Sequence, residues 1–317
     1  MFCLLSAVLL CCVTGCSDTR KSPVDYVNPF LGADGYGHTS PGAIVPFGVV
    51  QLGPDTRLDN CSNYHYSDDV IFGFSHTHWS ETDSSDYGDI LLMPNTGVLQ
   101  LYNGRGNVSK GYASHFSHEN EKASAGYYSV LLDDYDIRVE LTATARVGWH
   151  RYHFPKTSDA RVILDLTHRD EVLESNVEIV GNNEMVGYRH SQAGANDRRL
   201  YFVIKFSKEF VNHGFEIAGD KHEGAIYASG ETLKTWIDFD MENDDTPLVV
   251  KVGISPVSIA NARKNIQSEA SEWDFDKVHE NAREAWNSEL SKFTVEGGSE
   301  AEKINFYTTL YRRIIAP

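Results

Sequence analysis

The sequence has few cysteines, and they are concentrated at one end. Of its 5 cysteines, Cys3, Cys11 and Cys12 lie in the first apolar stretch, and Cys16 and Cys61 follow it. A mature chain with so few cysteines has no disulfide framework, so its stability must come from a hydrophobic core. The 317 residues are enough to bury such a core in one large or two smaller domains.

Positive charge is also scarce. The chain has 28 Lys and Arg residues against 45 Asp and Glu residues, a net charge of −17, and contains no basic run. Nucleic-acid binding begins with phosphate neutralisation by clustered Lys and Arg, so the composition excludes nucleic acid as an expected partner. Aromatic residues make up 11% of the chain, which is compatible with stacking on sugar rings.

A long apolar run occurs once, at the N-terminus. Residues 1–15 carry no charge and end abruptly before Cys16, which is too short for a membrane-spanning helix and typical of a secretory signal. Val13-Thr14-Gly15-Cys16 resembles a bacterial lipobox, in which the cysteine is lipidated. We therefore predict a lipoprotein signal peptide over 1–15, lipidation at Cys16 and a tether over 16–24. The protein would be extracytoplasmic and lipid-anchored, in the periplasm or on the outer-membrane surface of a bacterium; an ordinary cleaved signal peptide is the alternative.

The sequence between Asp25 and Pro256 lacks the helical crossovers of an α/β fold. Short β-type runs separated by turn residues follow one another instead, which favours an antiparallel sandwich. We predict a mainly β fold, a large antiparallel two-sheet β-sandwich over 25–257. Its clearest strands are predicted at 127–132, 137–145, 147–154, 161–166, 177–180, 184–189, 200–206, 225–228, 232–239 and 248–254.

The hydrophobic periodicity changes at Ser271. Ser271 followed by Asp274 predicts a helix start, and Gly297-Gly298 separates this helix from a second one capped by Ser299 and Glu302. We interpret 258–317 as a helical linker and the start of a further helical domain; a helical hairpin packed on the sandwich is the alternative. The apolar positions at helical spacing are Val278, Ala282, Trp286, Leu290, Phe293, Ile304, Tyr307, Tyr311 and Ile314.

The stretch 72–89, FGFSHTHWSETDSSDYGD, combines histidines, carboxylates and hydroxyl residues between two apolar strands. A polar loop held over a rigid sheet is where binding residues concentrate. From these residues alone, Glu81 and Asp86 would be the first candidates for an acid–base pair. Asp83, Asp86 and Asp89 would suit sugar hydroxyls or a hard cation, although their spacing does not match an EF-hand.

Several ordered motifs resemble one family. The order of these motifs is similar to the N-terminal portion of glycoside hydrolase family 92, the calcium-dependent exo-α-mannosidases. The motifs are DYVNPF (25–30), GHTSPGA (37–43), PFGVVQ (46–51), GPDT (53–56), CSNYHYSD (61–68), GFSHTH (73–78), HRYHFP (150–155), KVGIS (251–255) and FYTTLY (306–311).

The resemblance implies an N-terminal β-sandwich joined through helices to an (α/α)6 barrel. It further implies inverting removal of terminal mannose, with both catalytic carboxylates and the main Ca²⁺ site in the barrel. Because that barrel would begin where this sequence ends, we assign no catalytic residue and no metal ligand here. We expect the N-terminal part of an α-mannosidase acting on mannose-containing glycans, inactive without the barrel. The alternatives are a stand-alone carbohydrate-binding lipoprotein and a metal hydrolase built on His76 and His78.

What remains for this chain is the sandwich side of the substrate pocket. His76 and His78 are predicted to project from one face if Thr77 continues the strand; structural histidines and a zinc site are the other interpretations. Trp79 would stack on a sugar or pack in an interface. Trp79-Ser80-Glu81 and the short segment 57–60 depart from the family pattern, which leaves linkage specificity open. The residues predicted to bind substrate are Cys61, Tyr64, His76, His78, Trp79, Glu81 and Asp86, with Cys61 alternatively part of the core.

Overall fold

The computed structural model describes residues 21–58, 63–78, 87–193 and 197–315. These residues form mostly β-strands, followed by three α-helices. The strands are β1 (Ala43–Ile44), β2 (Gln51–Asp55), β3 (Val70–Ile71), β4 (Gly73–Ser75), β5 (Leu91–Asn95), β6 (Ser114–His115), β7 (Lys122–Ser124), β8 (Tyr127–Leu132), β9 (Ile137–Ala143), β10 (Val147–His153), β11 (Ala160–Asp165), β12 (Glu171–Val180), β13 (Glu184–Gln192), β14 (Arg198–Phe206), β15 (Asn212–Ile217), β16 (Asp220–Glu223), β17 (Tyr227–Ser229), β18 (Leu233–Phe239) and β19 (Leu248–Ser255). The helices are α1 (Ile259–Glu269), α2 (Phe275–Leu290) and α3 (Glu300–Ile315).

The strands form two large antiparallel sheets. The first sheet has the order β1-β2-β4-β5-β11-β18-β15-β16, and the second has the order β17-β12-β13-β14-β19-β10-β9-β8-β7. Strands β3 and β6 pair separately as a short ribbon. The predicted two-sheet sandwich is confirmed. One continuous core contains buried residues of both sheets, including Phe74 and Leu92 of the first and Leu141 and Phe202 of the second.

Strand β10 illustrates how the alternating pattern builds the layers. Tyr152 belongs to the core between the sheets, whereas Val147 and Trp149 belong to a second cluster that also contains Ala262 and Ile266 of α1. Successive side chains of a strand point to opposite faces, so the strand has one face toward the other sheet and one toward the helix. Both faces are therefore covered.

The sequence prediction of the helices needs two corrections. It did not identify α1, which begins after the N-cap Ser258. The next helix starts at Phe275 with Asp274 as its N-cap, not at Ser271, because the Asp274 carboxylate accepts from the Lys277 main-chain N–H at 2.9 Å. The predicted cap of α3 is confirmed, since the Ser299 N–H donates to the Glu302 carboxylate at 2.7 Å.

The last helix, α3, packs both on α2 and on the N-terminal segment. Tyr307, Tyr311 and Ile315 are buried in a cluster with Trp286 of α2 and with Val24 of the N-terminal segment. Val24 lies in a short 3-10 helix over Pro23–Tyr26, at the C-terminal end of the predicted tether. Across the described parts of the chain, no helix is both long and apolar enough to cross a membrane.

Candidate functional site

The candidate site lies at the base of the predicted polar loop. Strand β4 ends at Ser75, and the chain continues through His76 and Thr77 to His78, which forms an isolated antiparallel bridge with Tyr87. Residues 79–86 between these two positions lie outside the described residues, and so do Cys16 and Cys61. The predicted roles of Trp79, Glu81, Asp83 and Asp86 therefore have no structural description.

His76 is fully buried between the sheets. Its Nδ1 lies 2.6 Å from the carbonyl oxygen of Ile90, and its Nε2 lies 3.0 Å from Nε2 of His150. Burial lowers the pKa of His76 to about 4, so the ring is neutral near pH 7. Both ring nitrogens are thus engaged within the protein.

His78 belongs to a second buried cluster. Its Nδ1 donates to the carbonyl oxygen of Gln51 at 2.6 Å, while its Nε2 lies 3.2 Å from the Ser75 hydroxyl and 3.3 Å from Oδ1 of Asp55. Nε2 of His168 lies 3.5 Å from the same Asp55 oxygen. The two rings flank one carboxylate.

The Asp55 carboxyl is fully buried at the end of β2. Burial alone would raise its pKa, but the nearby imidazoles of His168 and His78 hold that pKa well below its usual range. The Ser75 main-chain N–H also donates to this carboxylate at 3.0 Å. Asp55 is therefore an ionised structural partner of the histidines.

Tyr64 is buried in a third cluster, centred on Glu121. The Glu121 carboxylate accepts from the Tyr64 hydroxyl at 3.0 Å and from the Tyr128 hydroxyl at 2.7 Å, and it lies 2.6 Å from Nδ1 of His118. Burial, and then the Glu121 charge, raise the pKa of Tyr64 far above its usual range. Tyr64 therefore donates from a neutral hydroxyl.

Asp89, after the loop, is held by cations. Its carboxylate is paired with Arg189 and lies 3.2 Å from Nη2 of Arg198. It also accepts from the Thr77 hydroxyl at 2.8 Å. Nη2 of Arg198 extends this network to Asp170 at 3.1 Å, so Thr77 before the loop and Asp89 after it belong to one largely buried polar network.

Sequence reasoning identified His76, His78, Tyr64 and Asp89, but it missed most of their partners. His168, Arg189 and Arg198 lie about 80 to 120 positions further along the chain, as their residue numbers show. No local spacing links them to the loop. Asp55 was part of the GPDT motif, but that motif had no assigned role.

No described group of three or more His, Cys, Asp or Glu side chains is arranged to hold a metal ion. The ring nitrogens of His76 and His78 bond to different partners, and the Asp89 carboxylate already accepts from arginine and threonine. The donors present in the described residues do not fit a Ca²⁺ or zinc site.

The chain matches two family models in sequence order. The model of the glycosyl hydrolase family 92 N-terminal domain matches residues 26–255, and the model of the family's catalytic domain matches residues 261–317. The chain belongs to glycosyl hydrolase family 92. The resemblance inferred from the motifs is confirmed.

Solved structures of the same family share the fold. The family GH92 α-mannosidase of Bacteroides thetaiotaomicron matches with a TM-score of 0.89 and 33% identity, covering 94% of this chain and 41% of that chain. An inverting family GH92 mannosidase from the same species matches with a TM-score of 0.83 and 26% identity, covering 95% and 40%. A protein of Arthroderma benhamiae described as an uncharacterised secreted glycosidase is 24% identical over 92% of this chain and 41% of its own length. The chain thus spans about two fifths of these relatives.

Proposed function

We propose that this chain is the sandwich portion of an inverting exo-α-mannosidase and forms one side of its mannoside pocket. The observation that carries the proposal is the match over 94% of the chain to a structure named as an α-mannosidase at 33% identity. The same α-mannosidase is also known in complex with mannoimidazole. Removal of α-linked mannose from glycans is the activity proposed for the whole protein.

The described carboxylates support a recognition role over a catalytic one. Inversion requires two carboxyl groups roughly 6.5–9.5 Å apart with room for a water molecule between them. Asp55, Asp89 and Glu121 are buried instead, and each is committed to histidine, arginine or tyrosine partners. We assign the acid and the base to the catalytic domain, outside these residues.

The predicted substrate-binding residues fall into two groups in this proposal. Tyr64, His76 and His78 are buried and bonded within the protein, so we assign them to the support of the pocket wall. Cys61, Trp79, Glu81 and Asp86 remain the candidates for contact with the sugar. Calcium, if the whole enzyme uses it, would be held by residues other than the described ones, because these do not fit a Ca²⁺ site.

Export is proposed from the leader sequence. Residues 1–15 would be the lipoprotein signal peptide, and Cys16 would carry the lipid that anchors the protein outside the cytoplasm. Metabolic labelling with a radioactive fatty acid should give a labelled, membrane-associated protein, and Cys16→Ser should remove the label. A labelled Cys16→Ser variant, or an unlabelled parent, would contradict the anchor.

The activity is tested on two proteins: the 317-residue chain and the product of the complete genomic reading frame that contains it. We expect the longer product to release 4-nitrophenol from 4-nitrophenyl α-mannoside in a chelator-sensitive reaction with inversion. The 317-residue chain should show no turnover. Chelator-sensitive turnover by the short chain, or no α-mannosidase activity in the longer product, would contradict the proposal.

A reading frame that stops directly after Pro317 would also contradict it. Mannoside binding by the purified chain would then favour the carbohydrate-binding lipoprotein. Metal analysis of the same sample tests the metal-hydrolase alternative, which requires a stoichiometric bound metal.

A further inference from the structure

A row of hydrogen-bonded, buried side chains connects the two sheets beside the candidate site. His76 follows β4 of the first sheet, whereas His150 and Tyr152 lie on β10 of the second. Nε2 of His150 lies 3.0 Å from Nε2 of His76, and the Tyr152 hydroxyl lies 2.8 Å from Nδ1 of His150. All three side chains are fully buried. Water is thus excluded from the bonds between them.

The partners determine one protonation state for each ring. The Ile90 carbonyl can only accept, so Nδ1 of His76 carries a hydrogen. Burial lowers the pKa values of both His76 and His150, so each ring is neutral near pH 7. Nε2 of His76 therefore accepts from Nε2–H of His150, and Nδ1 of His150 accepts from the Tyr152 hydroxyl. Each N–H or O–H donor among these three side chains thus has an acceptor.

At its His76 end, this hydrogen-bonded row contacts a strained backbone segment, residues 87–90. Tyr87, Gly88 and Ile90 have φ values of 84°, 90° and 56°, in the left-handed region that is unfavourable for a β-branched residue such as isoleucine. The His76 ring binds the Ile90 carbonyl, and the His76 main-chain N–H donates to the Asp89 carbonyl at 2.9 Å. One residue thus holds two successive peptide groups of this segment.

Gly148 provides the space for this arrangement. A Cβ atom at position 148 would lie 2.6 Å from Cδ2 and 2.9 Å from Nε2 of His76, which is closer than real contacts allow. Glycine on β10 therefore lets the imidazole reach across the core to His150. The position of the His76 ring therefore depends both on its hydrogen bond to His150 and on the absence of a side chain at Gly148.

We propose that the hydrogen-bonded row His76–His150–Tyr152 is a positioning device that holds residues 87–90 against the end of β4. It would fix the positions of His78 and Tyr87, the described residues on either side of 79–86. His150 and Tyr152 would act through His76 and would not contact substrate. The link to substrate recognition rests on the proposed function, but the positioning itself does not.

The first experiment reads the tautomers directly. Imidazole ¹⁵N NMR of the 317-residue chain at pH 7 should show His76 neutral with hydrogen on Nδ1 and His150 neutral with hydrogen on Nε2. A hydrogen on Nε2 of His76, or a doubly protonated ring at either position, would overturn the proposal.

The second experiment separates local positioning from general stability. His150→Leu removes the donor to His76, and amide hydrogen exchange is followed at Gly88 and Asp89, whose N–H groups bond to Thr77 at 2.8 Å and 2.9 Å. An unsatisfied buried acceptor should increase the local opening equilibrium, and so the exchange rate, by about 10- to 100-fold. His150→Gln, which retains a donor near the position of Nε2, should largely restore slow exchange.

A matched control removes buried volume elsewhere. Val203 of β14 is fully buried in the cluster beneath α1, and Val203→Ala should speed exchange by global destabilisation alone. If His150→Leu accelerates Gly88 and Asp89 no more than the core amides, the proposal is wrong. Should His150→Leu fail to fold, Tyr152→Phe keeps the ring and removes one donor, and the same comparison applies. None of these measurements needs α-mannosidase activity, so their failure and that of the proposed function are distinguishable.

Discussion

The ammonium group of Lys251 lies 3.7 Å from the centre of the Trp273 ring and 4.7 Å from that of Trp149. It also donates to the main-chain carbonyls of Ala270 and Glu272, both at 2.8 Å. A side chain of β19 thus holds the connection between α1 and α2. Such an ammonium between aromatic faces benefits from cation–π attraction, while its burial opposes the charge.

Lys251 should give the protein a distinct pH dependence. Burial lowers its pKa to about 8 from the usual 10.5. Between these values the unfolded chain binds the proton that the folded chain has lost, so stability from this group rises with pH across that window. Melting temperatures from pH 7 to 10 should therefore show a positive slope for the parent relative to Lys251→Met. The exposed Lys264→Met is the control and should keep the slope of the parent; equal slopes for parent and Lys251→Met would contradict the prediction.

Asp55→Asn should destabilise the fold by about 3 kcal/mol at pH 7, because it removes the charge between two buried imidazoles while retaining an acceptor for Ser75. The measurement is the urea midpoint. The pKa of Asp55 is held below its usual value, so its stabilising effect is present above about pH 4 and is lost as the pH falls further. The difference between parent and variant should shrink in acid. The exposed Asp245→Asn should change the midpoint little, and a similar loss there would count against this interpretation.

Gly148→Ala tests the clearance for the His76 ring. The added methyl group would overlap the imidazole, so the ring or the strand must move, at a cost of about 1–3 kcal/mol. Thermal unfolding measures this loss. Gly230→Ala, whose new Cβ would meet one side-chain atom at 3.2 Å, is a milder exchange of the same kind. A larger loss at 230 than at 148 would contradict the geometry.

Trp286→Phe should weaken the packing of α2 on β1. The Trp286 indole donates to the Ile44 carbonyl at 2.6 Å and packs 4.4 Å from the ring of Tyr311. Its replacement leaves that buried carbonyl without its donor, which should cost about 1–3 kcal/mol. Limited proteolysis should cut the variant faster in the connection between α2 and α3. Trp273→Phe, at a half-exposed position, should leave cleavage there unchanged; equal acceleration in both would refute the assignment.

Much of the fold could be predicted because its strands carry their own signal. The predicted strand 127–132 coincides with β8, and the predicted strand 147–154 contains all of β10. Helix α1 was missed because its sequence, IANARKNIQSE, presents few apolar positions; Ala262, Asn265 and Ile266 are its buried residues. Packing against β19 stabilises this helix more than its hydrophobic periodicity would indicate.

The site could be predicted only in part. The motifs located His76 and His78 at a strand end, but they could not show which distant side chains complete each cluster. The pairing of His76 with His150 and of Asp89 with Arg189 depends on the stacking and register of two sheets. A single sequence contains no local pattern for such contacts, and the expectation for His76 and His78 accordingly left structural roles open.

A side chain at position 148 would occupy the volume that the His76 ring fills, although 72 positions separate the two residues in the sequence. Gly148, with the HRYHFP motif that begins two residues later, and the GFSHTH motif are therefore parts of one packing unit. Across family 92 sequences we expect covariation: relatives with a side chain at the position of Gly148 should have replaced the imidazole at the position of His76. Replacing only one of these two positions with the residue of such a relative should destabilise the fold, whereas replacing both together should be tolerated.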